Sequence, residues 1–212
     1  MAVWLATVAA SNAAWPGKPG TPGYVAPWNR VTEDSVVDLA PGERTAPFEL
    51  RGTLHDGDHQ PLAHMLVYVY HADSHGWYGT RAMPEIPTMA GCVRTGPRGG
   101  FIVRSCIPGA YDGGPHLHLE AVLPGRGRCA SSIGLRPDAD TRMLPGAFDL
   151  RIASANSRYV AVVHMDPDRV YRADYVFHTA DWYPSPELDS LHAVAEQKYE
   201  RAPWRDAKPA KQ

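Results

Sequence analysis

The sequence has no strong excess of charge of one sign: 21 Lys and Arg stand against 23 Asp and Glu, a net of -2 with a pI near 6.5. That balance gives no footprint for nucleic acid or an anionic membrane as a partner. Cysteine is scarce, with three residues, so one is left over if any two pair. Cys92 and Cys106 flank a stretch that reads as a hairpin and could face one another, while buried free thiols are the equal alternative. No apolar run is long enough to span a bilayer. Ala2 to Ala10 is apolar and leads into small residues, but it is short and lacks the positive segment of an export signal. A cytoplasmic location is therefore expected, with export through a truncated signal at residues 1–13 as the alternative. There is no internal repeat and no sign of a second domain. What is present is a chain of 212 residues, enough for one real core. Gly and Pro together make about 18% of it, above the roughly 12% of average usage. Ten histidines are the unusual count.

Pro and Gly crowd residues 14 to 46, which show little periodicity; 1–46 reads as an extended N-terminal arm. Such an arm can wrap its own domain or a neighbouring subunit, so a homo-oligomer is an open expectation. From Phe48 the pattern changes. Phe48 to Leu54 alternates, and Met65 to His71 is rich in β-branched and aromatic residues, as a central strand would be. Cys92 to Thr95 and Phe101 to Ser105, joined through Gly96, Gly99 and Gly100, read as a hairpin. Runs at Ala147 to Ile152, Tyr159 to Met165 and Asp174 to His178 keep strand composition. Only Ser185 to Arg201 is helical in character, with Ser185 as N-cap and Leu188, Leu191 and Ala195 on one face. The expected fold is all-β: a single β-sandwich over residues 47–184, with the N-terminal arm and one short C-terminal helix within 185–212.

The stretch from Cys106 to Val122 carries the chemistry. His116, His118 and Glu120 alternate with Leu117, Leu119 and Ala121. Side chains two apart on a strand share a face about 6.5 Å apart, so both imidazoles can converge on one ion while the leucines enter the core. Tyr111 lies just upstream as a candidate oxygen ligand; position alone leaves it, and Tyr78, open between ligand and packed aromatic. Two imidazoles with two phenolates would carry a net charge of -2 and suit a hard, highly charged cation, for which ferric iron is the natural choice. Coordination would deprotonate phenols whose ordinary pKa is near 10.

The run Gly52 to Asp56, Gln60 to Leu62, Val67 to Asp73 and Gly76-Trp77-Tyr78 resembles the opening strands of the intradiol ring-cleavage dioxygenases. Cys92 to Thr95, Gly100-Phe101 and Ile107 to Tyr111 continue it in order, and Pro115-His116-Leu117-His118 is similar to that family's paired-histidine signature. The resemblance covers roughly residues 48 to 123. It implies a non-haem Fe(III) enzyme on a β-sandwich, with iron held by Tyr78, Tyr111, His116 and His118. It further implies a catecholic substrate and O2 as partners, and cleavage to a muconate-type diacid. Tyr111 would then be the displaceable ligand that accepts the substrate proton.

The departures are equally specific. The family carries an arginine three residues before the first histidine, where this chain has Gly113, and a glutamine past the second, where Ser132 or Ile133 stands. Loss of a positive group beside developing negative charge costs several kcal/mol. Arg81 and Arg104 are the candidate replacements, and His71, His75, His164 and His178 are further candidates for the pocket. Tyr175, Phe177, Trp182 and Tyr183 could wall a pocket for a planar substrate or pack in the core. A non-catalytic module of the same scaffold, holding zinc or copper at the histidines, is the alternative these departures motivate.

Overall fold

The computed structural model describes residues 31–32, 35–40, 46–77, 87, 89–109, 114–138 and 159–184. Within them lie eleven strands: β1 (Val31–Thr32), β2 (Val36–Asp38), β3 (Pro47–His55), β4 (Leu66–His71), β5 (Met89–Arg94), β6 (Gly100–Cys106), β7 (His116–Leu123), β8 (Gly127–Pro137), β9 (Val160–Met165), β10 (Tyr171–His178) and β11 (Tyr183–Pro184). The helical content of the described residues is a single 3-10 turn, Thr179–Asp181. The all-β expectation holds. The expected arm up to residue 30, the strand run Ala147 to Ile152 and the helix from Ser185 lie outside the described residues.

Alternation decides the layers. On β3, Phe48, Leu50 and Leu54 turn inward while Arg51 is exposed; on β6, Phe101 and Val103 do the same around an exposed Arg104. One layer runs β1-β5-β4-β7-β8-β9 with β11 beside β8, and the other runs β10-β3-β6-β2. The strand β9 joins them. Its Val160 to Val163 lie parallel to Gly134 to Pro137, and its His164 and Met165 pair with Arg172 and Tyr171. Between the layers, Val67, Val69, Leu117, Leu119, Ile133 and Leu135 meet Phe48, Leu50, Phe101, Val103 and Tyr171 in one buried cluster. Each such side chain contributes about 1.5–3 kcal/mol by leaving water. Gly52 is required by this packing: a Cβ there would lie 2.8 Å or less from three ring atoms of Phe101.

Two local expectations are corrected. Cys92 to Thr95 and Phe101 to Ser105 are not a hairpin, because β5 pairs with β4 and β1 while β6 pairs with β3 and β2. The turn between them is closed by Gly96 N–H to Gly100 O and carries the chain from one layer to the other. Val93 and Val103 can then face each other's layer across the core, where a hairpin would put them in one sheet. The cysteines follow from this. Cys92 and Cys106 sit in different layers, and all three cysteines are buried and not joined by disulfides. Residues 36–39, without periodicity in the sequence, also add a strand to β6 and bury Val37 and Leu39.

Candidate metal centre

Because Leu117 and Leu119 face the core, His116 and His118 lie on the opposite face of β7, both half-buried. Their Nε2 atoms are 3.0 Å apart, with the rings edge to face at 75°. The main chain at Gly114 adopts φ 111, open to glycine without strain, and its carbonyl oxygen accepts a hydrogen bond from His116 Nδ1 at 2.8 Å. That bond puts a ring proton on Nδ1 and turns Nε2 of His116 toward Nε2 of His118. At that separation the two nitrogens can share one proton or one cation. A backbone carbonyl holding the far nitrogen of a ligating histidine is the usual outer support of a metal site, and 3.0 Å is a spacing that two donors with bonds of about 2 Å can share at one ion.

The neighbouring strands shape the surroundings. On β4, Tyr70 is in register with His118 and stacks on its ring almost parallel, centroids 4.6 Å apart and planes 8° apart, and Tyr68 stacks on Tyr70 in turn. On the other side, β8 sets Gly134, Ser132 and Ala130 opposite His116, His118 and Glu120. One flank of the pair is aromatic and closed; on the other, among the described residues, the positions directly opposite are the small Gly134, Ser132 and Ala130.

Two loops approach this end. Gly109 N–H donates to Asp73 O, and Asp73 N–H donates to Trp77 O. Asp73 Oδ1 caps the amides of His75 and Trp77. A Cβ on Gly109 would lie 2.8 Å from both Ser74 O and the carbonyl carbon of His75, and closer to the Gly76 amide nitrogen. The residues just ahead of Tyr78 and Tyr111 are thus tied to each other through main-chain contact. Tyr78, Tyr111, Arg81 and Gly113 themselves lie outside the described residues.

The remaining sequence candidates separate clearly. Arg104 is removed from the site: its Nε bonds Glu49 on the outer face of the other layer. Burial raises the Glu49 carboxyl, but hydrogen bonds from Arg104 and Arg51 outweigh it and hold the group below the usual carboxylate range. His71 is fully buried on the core side, donating Nδ1–H to Ala72 O (2.6 Å) and accepting at Nε2 from Ser105 Oγ (2.7 Å), a bridge from β4 to β6. Burial lowers its pKa to about 4. His75 is exposed beside Ser74, His164 pairs with Asp166, and His178 lies against His55 and His59. Among the described residues no three His, Cys, Asp or Glu gather as a metal-holding group. Sequence reasoning missed Tyr70 as the ring behind His118. Its alternation with Val69 was visible, but the register between β4 and β7 was not.

No family model matches the chain. Over 98 residues, 44% of its length, it is 31% identical to catechol 1,2-dioxygenase 1 of Acinetobacter lwoffii, of which the match covers 31%. The dioxygenase domain of a dioxygenase carbohydrate-binding protein fusion from Streptomyces sp. SirexAA-E superposes on 77% of this chain and 97% of its own, with TM-score 0.52 and 21% identity. The chain has the fold of the intradiol ring-cleavage dioxygenases. Catechol 1,2-dioxygenase from Pseudomonas arvilla C-1 gives TM-score 0.52 at 17% identity, over 76% of this chain and 60% of that one. At these identities the superpositions establish the fold, and the chain matches about a third of the length of the curated enzyme.

Proposed function

We propose that the chain is a non-haem ferric dioxygenase that opens the ring of a catechol-type aromatic to a muconate-type diacid. The observation that carries this is the His116 and His118 pair, with Nε2 atoms 3.0 Å apart and the His116 proton held by Gly114 O. Tyr78 and Tyr111 complete the donor set in this reading, supported by the main-chain clamp between the loops that lead to them. Bound iron would neutralise a catecholate and make its ring reactive toward O2. Tyr111 takes a catechol hydroxyl proton at its phenolate oxygen. Tyr70 holds the His118 ring plane and, with Tyr68, keeps water from that flank. With Arg104 tied to Glu49, Arg81 is the arginine assigned to the negative charge that develops on the substrate.

Metal analysis with oxygen uptake across a panel of catechols tests the reading. Stoichiometric iron, a visible tyrosinate band that shifts with catechol, and a product heavier by both oxygen atoms are expected. Colour that survives Tyr78→Phe and Tyr111→Phe together, or protein that takes up no iron, would refute it. Ser132, which with Ile133 stands where the resemblance led to an expected glutamine, lies in register with His118, and this favours one second reading: a scaffold that binds metal without turnover. Iron-loaded protein that consumes no oxygen with any catechol would select it.

A further inference from the structure

We propose that Tyr183 is a specificity-determining wall for the aromatic ring, standing across a trough floored by Gly134, Ser132 and Ala130. This rests on the catechol reading above. Those three residues face the same side as His116, His118 and Glu120 because directly opposed antiparallel residues share a face. They give the histidine side of β8 a floor without bulk. The far bank is set by the two strands on the other edge of β8. Val160 is beside Gly134 and Tyr183 beside Ala130, 37% and 55% exposed respectively.

Tyr183 is held there by its surroundings. Trp182, its neighbour, is buried in the core edge-on to Phe177, so strand alternation turns Tyr183 to the opposite, histidine-bearing face. Arg126 fixes the approach, its guanidinium donating to the carbonyls of Thr179 and Trp182. Of the four aromatics that could have walled a pocket, Phe177 and Trp182 belong to the core and Tyr175 packs against it. Tyr183 alone of the four remains on the histidine side. Two strand spacings across and two residues along put its Cα about 12 Å from that of His118. A phenol ring and a metal-bound catechol can meet across that gap. Substrates with a second ring or bulky substituents should sense Tyr183 most.

The test is anaerobic titration of iron-loaded protein with 4-nitrocatechol, followed by its own absorbance, and with 2,3-dihydroxynaphthalene. Wild type, Tyr183→Ala, Tyr183→Phe and Ser132→Leu are compared, with Val176→Ala on the other layer as control. Tyr183→Ala should weaken binding about threefold to tenfold, more for the two-ring ligand, while Tyr183→Phe stays within about twofold. Ser132→Leu, which fills the floor, should exclude the two-ring ligand at unchanged iron content. If wild type binds both diols and neither Tyr183→Ala nor Ser132→Leu changes their ratio, the wall is refuted and the metal reading stands. If wild type binds neither diol, both fall.

Discussion

Replacing Gly109 by alanine tests how the two loops are held together. The added Cβ would sit 2.8 Å from Ser74 O and from the His75 carbonyl carbon, nearer still to the Gly76 amide, whereas ordinary contact begins near 3.4 Å. All three neighbours are main chain, so no side chain can swing aside, and the loops must part by something on the order of 1 Å in a close-packed region. Overpacking of this kind costs about 1–3 kcal/mol, and stretching the Gly109 N–H to Asp73 O bond, now 2.8 Å, adds about 0.5–1.5 kcal/mol. Stability should fall by roughly 2–4 kcal/mol, read as a lower urea midpoint at unchanged slope. The larger effect should be on the centre. Tyr78 follows Gly76 by two positions and Tyr111 follows Gly109 by two. Misplacing catalytic groups by about 1 Å costs on the order of a hundredfold. Iron uptake and catechol turnover should therefore drop far more than the midpoint implies. A Gly109→Ala protein with wild-type midpoint, iron content and turnover would refute the clamp.

Three further outcomes are expected. Gly114→Ala forces a residue with a Cβ to φ 111, at about 1–3 kcal/mol; it should loosen the carbonyl from His116 Nδ1 and weaken metal affinity about tenfold to a hundredfold, measured by competition with a chelator. His71 has a folded pKa of about 4 against an ordinary 6.5. Its unfolded form therefore binds the extra proton between those values, and stability contributed by the neutral ring is lost as pH falls from 6.5 to 4, by up to about 3 kcal/mol; that part of the pH dependence of the urea midpoint should be absent from His71→Gln. Gly52→Ala drives a methyl into the Phe101 ring, itself stacked near Phe177, and should cost about 1–3 kcal/mol in the same assay with iron binding retained.

Local pattern carried the strands and little beyond them. Alternation in Phe48 to Leu54 and in Leu117 to Ala121 marked which side chains go inward, because burial acts on each strand separately. It put His116 and His118 on one face for the same reason. Neighbours were not legible, since register is fixed by packing between strands distant in sequence. Tyr70 behind His118, Ser132 beside it and Tyr183 beyond it all come from pairings that no window of sequence contains. The glycines around Gly96 and Gly100 marked a turn correctly, yet its two arms find their partners in opposite layers. Val36 to Asp38 is too short to show a period and is a strand because β6 offers it an edge.

The parallel pairing of β3 with β10 joins Phe48 to Tyr171 and continues to His55 and His178, partners about 120 residues apart. At a synthesis rate of roughly 5–20 residues per second, β3 leaves the ribosome on the order of ten seconds before its second neighbour exists. During that interval one of its edges offers unpaired amides and carbonyls beside Phe48, Leu50 and Leu54. Loop closure of that length is slow, so the nascent chain is open to association with other chains until β10 docks. Slower synthesis at low temperature, or a chaperone that covers β3, should therefore raise the yield of folded protein.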